Sequence, residues 1–487
     1  MRLGALLACA GIGMLGSSAA ALAVPLPREA PQATALPPEE APPLEASPHL
    51  AAGKTLLMDA RIGHATLPKG SSNETYVFAS VTAIEGGTSA APPIDLAIVI
   101  DRSGSMKGAR ISNAIAAAVS AVDRMREMDR VVVVSFDTEA QVVVPLTPVS
   151  VSTRPAVEAA IRNIRLGGDT CISCGLQEAR RQLDFGRGTG ENRIERMLLL
   201  SDGATNAGIR DMAGLRALAA RMRDRSAIST IGVDVDFDER VMGAIAAESN
   251  GNHYFVAEPT ALRGVFDQEF DTLLATVARD AEVIVEPAPG VVIEEVFDRP
   301  SRRDGGRVIV PLGSFSSKDE KSALLKLRVP ADHDGARPVV ELKLAYRDLL
   351  EKADASFSGM LGAMVKADAV SEMDPFVRAR VERSETARAL ADANVLAAQG
   401  RFAEAKAELE RRKVGVDNAR ASVRHAPPSA PAPARARGFN KDFDDQSEAL
   451  DRASQAAGSA ASAAPTSRSA KEAPKKIQQI DRSDPFR

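Results

Sequence analysis

The sequence predicts an α/β fold: a doubly wound, mostly parallel sheet, inserted in or flanked by a β-sandwich, with a C-terminal helical hairpin and a disordered tail. Three observations carry this reading. Residues 94–101 form a nearly continuous aliphatic run, Ile94-Asp95-Leu96-Ala97-Ile98-Val99-Ile100-Asp101, as in a strand buried on both faces of a parallel sheet. Strand-like and helix-like stretches then alternate to about residue 280, the pattern of a sheet covered by helices on both sides. From residue 281 short strand-like runs punctuated by Pro, Gly and Asp take over, as in antiparallel strands joined by turns.

Size and composition bound the answer. A chain of 487 residues exceeds what one hydrophobic core usually serves and implies about two or three domains with extensions. Apolar residues at 45% and charged ones at 26% are ordinary for a globular protein, while 4% aromatics and no Trp leave aliphatic side chains to fill the cores. A formal charge of -4 and no basic stripe with interleaved aromatics exclude nucleic acid as a partner.

Residues 1–23 read as a signal peptide: Arg2, an apolar stretch over 3–15, then Ala21-Leu22-Ala23 as a cleavage site before Val24. The mature chain is then expected outside the cytoplasm, in the periplasm or secreted. Leu6-Leu7-Ala8-Cys9 also resembles a lipoprotein cleavage box, which would make Cys9 a lipidated N-terminus. Only eight residues precede Cys9, short for a charged plus an apolar region, so soluble export ranks ahead of a lipid anchor. After the signal no apolar run approaches the ~20 residues that span a bilayer. Residues 24–50, rich in Pro, Ala and Glu, read as a disordered linker.

Strand-like runs at 54–60 and 75–83 make 51–92 the first part of a β domain. In the α/β segment, 93–280, strands are expected at 94–101, 131–136, 141–146, 197–201, 228–233 and 253–256. Ile111, Ile115, Val119, Val122 and Met125 recur at helical spacing, and further helices are expected at 154–164, 172–183, 212–223, 239–249 and 261–278. Open sheets of this kind bind ligands outside the carboxyl ends of their strands. There stand Asp101-Arg102-Ser103-Gly104-Ser105 and Asp202-Gly203, while Gly167-Gly168-Asp169-Thr170 opens a helix. These loops are expected to converge.

Asp101-x-Ser103-x-Ser105, the distal Thr170 and Asp202 resemble the metal-ion-dependent adhesion site (MIDAS) of von Willebrand A domains, over about 94–278. Hydroxyls and carboxylates are hard oxygen donors suited to Mg²⁺, with Mn²⁺ and Ca²⁺ as alternatives. The resemblance implies that Ser103, Ser105 and Thr170 are hydroxyl ligands, with Asp101 and Asp202 acting directly or through water. A mostly neutral shell keeps the metal electrophilic, so the expected partner is a protein presenting Asp or Glu at the open position. The bland reading is that Asp101 and Asp202 only cap turns and helices.

Beside this site Cys171-Ile172-Ser173-Cys174 places two thiols at a helix start. In an oxidising compartment they could form a disulfide. That pair reads as a structural bridge, as two small buried thiols, or as a redox control on Thr170. A thioredoxin-like enzyme fits poorly because the motif follows a helix-loop segment rather than a first strand, and zinc lacks a second Cys pair among five scattered His. No Gly-x-Ser-x-Gly, phosphate-loop lysine or His-Glu-x-x-His pattern occurs. His253 reads as structural or exposed, and the acidic cluster Asp234, Asp236 and Asp238 as a solvated turn.

Strand-like runs at 282–286, 291–296, 307–310, 323–329 and 339–346 make 281–360 the rest of the β domain, with the A domain inserted in it. The order resembles bacterial exported A-domain proteins labelled calcium-activated chloride channel-like and, more remotely, inter-alpha-trypsin inhibitor heavy chains. The channel label does not carry over. Residues 361–425 are expected to hold a helical hairpin broken at Gly400-Arg401-Phe402; a tetratricopeptide-like fragment at 397–409 is too short for a solenoid. The Ala-, Pro- and Ser-rich segment 426–487 reads as a disordered tail. The expected function is a non-enzymatic, metal-dependent protein-binding module; the alternatives are a cell-envelope scaffold whose metal is only structural, and a thiol-disulfide enzyme using Cys171 and Cys174.

Overall fold

The computed structural model describes residues 47–85, 92–185, 193–202, 205–223, 225–233, 239–256, 258–367, 369–424, 433–464 and 467–481. The expected signal peptide with Cys9, most of the 24–50 linker and the Asp234–Asp238 cluster lie outside them. Four strands come first: β1 (His49–Gly53), β2 (Leu56–Ile62), β3 (Thr66–Pro68) and β4 (Gly70–Ala83). The expected linker therefore ends before residue 50: β1 pairs along β2, and Leu50 packs on the sandwich core.

The α/β segment follows as β5 (Ile94–Asp101), α1 (Ala109–Arg124), β6 (Arg130–Phe136), β7 (Ala140–Pro148), α2 (Arg154–Arg162), α3 (Ile172–Phe185), β8 (Ile194–Ser201), α4 (Met212–Arg223), β9 (Ala227–Val233), α5 (Glu239–Glu248), β10 (His253–Val256) and α6 (Leu262–Leu274). The sheet order is β10-β9-β8-β5-β6-β7, parallel except for β7 at the edge. Every residue of β5 is buried. Its Leu96, Ile98 and Ile100 meet α1 and α6 in one core, while Ala97 and Val99 meet α3, α4 and α5 in another. Alternation along one strand thus serves both helical layers. The chain leaves β5 toward β6 on one side and returns to β8 on the other, so the sheet changes direction between β5 and β8. That is where such folds open a ligand crevice.

Then come β11 (Thr276–Pro287), β12 (Val292–Phe297), β13 (Arg302–Asp304), β14 (Arg307–Ser316), β15 (Glu320–Ala331), β16 (Gly335–Asp348) and β17 (Ala353–Lys366). Two sheets result, β1-β2-β4-β15-β12 and β13-β14-β11-β16-β17-β3. Both mix strands from before and after the α/β segment, which is therefore an insertion in a sandwich. Their facing residues, such as Leu56 and Val77 with Val283 and Leu342, form one core. The expected helix over 261–278 stops at Leu274 because Thr276 already pairs with Ser316. Residues 361–366 belong to β17 rather than to the helical region; β17, with Gly359, Gly362 and several Ala and Ser, lacks the bulky alternation that marks a strand.

The hairpin is α7 (Pro375–Ala398) and α8 (Phe402–Arg424), with Gly400 in the left-handed region, φ 78°, at the break. Asp374 caps α7 by accepting from the Phe376 and Val377 amides. Val377 packs on Phe297 and Leu324 of the sandwich. The tail departs from expectation: α9 (Pro433–Ala461) and α10 (Arg468–Asp481) are helical and share one core with α7 and α8. An Ala-rich composition reads as disorder, yet Ala is the best helix former, and Ala449, Ala453 and Ala457 let α9 approach its neighbours while Phe443 and Leu450 fill the centre. Among the described residues no helix is long and apolar enough to cross a membrane.

Candidate metal centre

The end of β5 fixes the first carboxylate. Asp101 is fully buried; its Oδ1 accepts from the Ser103 amide at 2.8 Å and its Oδ2 from the Ser201 hydroxyl at 2.5 Å. The turn that follows brings the Ser103 and Ser105 hydroxyl oxygens to 3.0 Å from each other. Ser105 donates its hydroxyl to Asp202 Oδ1 at 2.7 Å, joining the end of β8 to the end of β5. Asp202 is 1% exposed. Four of the five expected residues, Asp101, Ser103, Ser105 and Asp202, are therefore tied together directly or through Ser201.

Thr170 arrives on the loop before α3, and backbone bonds seat that loop. The Gly167 amide donates to Arg102 O at 2.7 Å, and the Gly104 amide to Gly168 O at 3.1 Å. Gly167 has no room for a side chain, since a Cβ there would sit 1.7 Å from Asp137 Oδ2. Thr170 is buried; its amide donates to Asn206 Oδ1 at 2.7 Å, and its carbonyl accepts from Asn206, Ala207 and the Thr205 hydroxyl. The three loops meet as the strand-end rule requires.

Electrostatics favour a cation here. Burial pushes the Asp101 carboxyl up to about 6 in spite of the hydrogen bonds from Ser201 and Ser103, and the charge of Asp202 pushes the same way. Asp202 is paired with Arg110, so the unbalanced buried carboxylate that a divalent ion would relieve is Asp101. The Ser103 and Ser105 hydroxyls are hydrogen-bonded to each other at 3.0 Å, a separation that also suits adjacent oxygens around an octahedral ion with ~2.1 Å bonds, the Mg²⁺ geometry. Among the described residues no three His, Cys, Asp or Glu side chains gather around a point. The donor set present here, hydroxyls with two carboxylates, fits Mg²⁺.

Cys171 and Cys174 are joined by a disulfide at the first turn of α3, with Cα atoms 5.3 Å apart. Gly208, at φ 67°, passes so close that a Cβ would lie 2.4 Å from Cys171 Sγ, and the Ile209 amide donates to Ser173 Oγ. The bridge therefore braces the 205–209 loop that also holds Thr170. His253 Nδ1 lies 2.8 Å from Thr230 Oγ1.

Several functional residues escaped sequence reasoning. Asp137, just past β6, accepts from the Glu139 and Gly168 amides and pairs with Arg102 at 2.9 Å; burial opposes its ionisation, but these partners outweigh it and hold its carboxyl below the usual range. The strand-end rule applied to β6 would have found it. Ser201 lay in view as the last residue of β8. Asn206 and Arg110 carried no signal in spacing or periodicity; Arg110 Nη1 lies 2.8 Å from Asp202 Oδ2 and donates to Ser105 O at 2.9 Å.

Comparison with known proteins agrees with the geometry. Residues 95–268 match the family model of the von Willebrand factor type A domain. The uncharacterized protein sll0103 of Synechocystis sp. is 26% identical over 266 residues, 53% of this chain and 62% of that protein. The uncharacterized protein YfbK of Escherichia coli is 27% identical over 275 residues, 52% of this chain and 47% of that protein. The chain thus covers less than two thirds of either relative's length. The solved structure of von Willebrand factor type A from Catenulispora acidiphila superposes with a TM-score of 0.65 at 18% identity, over 84% of this chain and 90% of that one, which speaks to fold alone. Residues 95–268 are accordingly a von Willebrand factor type A domain within a longer chain.

Proposed function

We propose that the protein is an exported, non-enzymatic binding module that captures an acidic group of a protein partner through Mg²⁺ at Asp101, Ser103, Ser105, Thr170 and Asp202. The observation that carries this reading is the convergence of two buried carboxylates with the hydroxyls of Ser103 and Ser105 at the sheet's switch point. Domains of this family mediate protein interactions. Bound there, the ion would offer an open coordination position to an Asp or Glu of the partner. The chain's own residues do the rest. Ser201 and the Ser103 amide fix both oxygens of Asp101, and Asp202 accepts the hydrogen bond from the Ser105 hydroxyl, so the Ser105 oxygen acts as an acceptor toward Ser103, the role it would also play toward a cation. Asn206 and the braced 205–209 loop hold Thr170. The composition of residues 1–23 and the Cys171–Cys174 disulfide support a compartment outside the cytoplasm.

The second reading, an envelope scaffold with a structural metal, draws on the inserted arrangement, in which a sandwich and a helical bundle accompany the A domain. Capture of partners from an envelope extract separates the two. Under the binding reading, the wild-type protein retains a partner in Mg²⁺, loses it in chelator, and loses it in Asp101→Ala. Retention unchanged by chelator and by Asp101→Ala supports the scaffold instead. The thiol-enzyme reading requires disulfide exchange activity that disappears in Cys171→Ser or Cys174→Ser.

A further inference from the structure

Asp202 already has a cation. Its side chain is fully buried, yet Arg110, the second residue of α1, reaches it with Nη1 at 2.8 Å from Oδ2, and the same nitrogen binds the Ser105 carbonyl at 2.9 Å. The other oxygen of Asp202 takes the Ser105 hydroxyl. The guanidinium therefore sits on the two residues that join the β5 and β8 loops, and it is itself only 24% exposed. In a partly buried site like charges a few ångströms apart repel far more strongly than in water. An ion brought up to the Ser103 and Ser105 hydroxyls would meet this positive charge on the Asp202 oxygen that Ser105 does not use.

We propose that Arg110 is a built-in competitor of the metal, a positioning residue that neutralises Asp202 in the metal-free protein and must be displaced, or be borne at an electrostatic cost, when Mg²⁺ enters. This rests on the metal-site reading above. Two consequences follow from the charge arithmetic. Arg110 weakens Mg²⁺ binding, because the two carboxylates balance a divalent ion alone but not a divalent ion and a guanidinium together. It also offsets the cost of burying Asp202 beside Asp101, which helps hold the β5 and β8 loops together without a metal. The device sets the concentration at which the site fills without adding a ligand.

The test is calorimetric titration of Mg²⁺ into the full chain as wild type, Arg110→Gln, Arg110→Lys and Arg181→Gln, with thermal unfolding of each protein with and without Mg²⁺. Arg181 pairs with Glu178 on the outside of α3 and serves as a control for the change in net charge. The expected result is Mg²⁺ binding about tenfold tighter in Arg110→Gln, worth about 1.4 kcal/mol, with Arg181→Gln unchanged and Arg110→Lys between wild type and Arg110→Gln. The metal-free Arg110→Gln protein should melt below wild type and gain more from Mg²⁺; a variant that folds only with Mg²⁺ present supports the same conclusion. Affinity in Arg110→Gln equal to or weaker than wild type overturns the role of Arg110 while leaving the metal site standing. Equal tightening in Arg181→Gln overturns it too, since net charge then explains the effect. Absence of Mg²⁺ binding in wild type and Arg110→Gln alike removes the metal site and this inference together.

Discussion

At the scale of single residues the protein relies on charges placed where water is scarce. Asp101, Asp202 and Arg110 do so at the site, and Lys321 does so in the sandwich. The Lys321 ammonium donates to the carbonyls of Leu312 and Ser314 and lies 4.9 Å from the centre of the Phe315 ring. Burial first, and then the charges of Arg299 and Arg196 against the help of Asp319, bring its pKa down to about 8. The unfolded chain keeps the ordinary value near 10.5. Below pH 8 both states hold the proton and the folded state bears the whole cost. Between pH 8 and 10.5 the unfolded state holds more proton than the folded one, so this group's contribution to stability rises with pH. Urea unfolding of wild type and Lys321→Met should therefore show the difference moving in favour of wild type from pH 7.5 to pH 10; a difference constant with pH contradicts it.

At the scale of elements, what was legible in the sequence followed from burial. β5 announced itself because both of its faces are covered, so all its positions had to be apolar or, like Asp95 and Asp101, bonded. The site was legible for the same reason: it stands where β5 and β8 end, and Asp101, Ser103, Ser105 and Asp202 are local to those ends. Asn206 and Arg110 were not, because their roles depend on which loop and which helix turn come close in space. β17 and α9 were illegible because small residues do their packing, and Gly or Ala at a core position looks like Gly or Ala in a linker. The helical tail gives a sharp expectation. Phe443 is 1% exposed among Leu390, Leu409 and Val416 of the bundle core. Phe443→Ala should cost about 3–5 kcal/mol locally and expose the chain beyond residue 433 to proteolysis while the A domain resists. Unchanged proteolysis would show that α9 does not depend on this core.

At the scale of the molecule, the insertion joins the A domain to the sandwich through more than its two connections. α6 runs into β11 with one residue between them, the Ser316 hydroxyl donates to Thr272 O at 2.9 Å, the Ser317 amide donates to Ala275 O, and Arg279 reaches Arg193 O at 3.0 Å. Leu349, from the turn after β16, is buried in the core of the A domain. A domain and sandwich are thus expected to melt in one calorimetric transition, and Leu349→Ala, at a cost of about 2–5 kcal/mol, should lower that transition for both or split it. A wild type that melts in two independent steps, with Leu349→Ala moving only one, contradicts this coupling.

The proposed binding function requires the β5 and β8 strand ends to hold a divalent ion. Calorimetric titration of Mg²⁺ into the chelator-treated full chain, beside Asp101→Ala, tests it most directly. One saturable site is expected in wild type and none in Asp101→Ala, which loses the carboxylate that anchors the Ser103 turn. Heats of dilution alone in wild type, or equal binding in the two proteins, would contradict it.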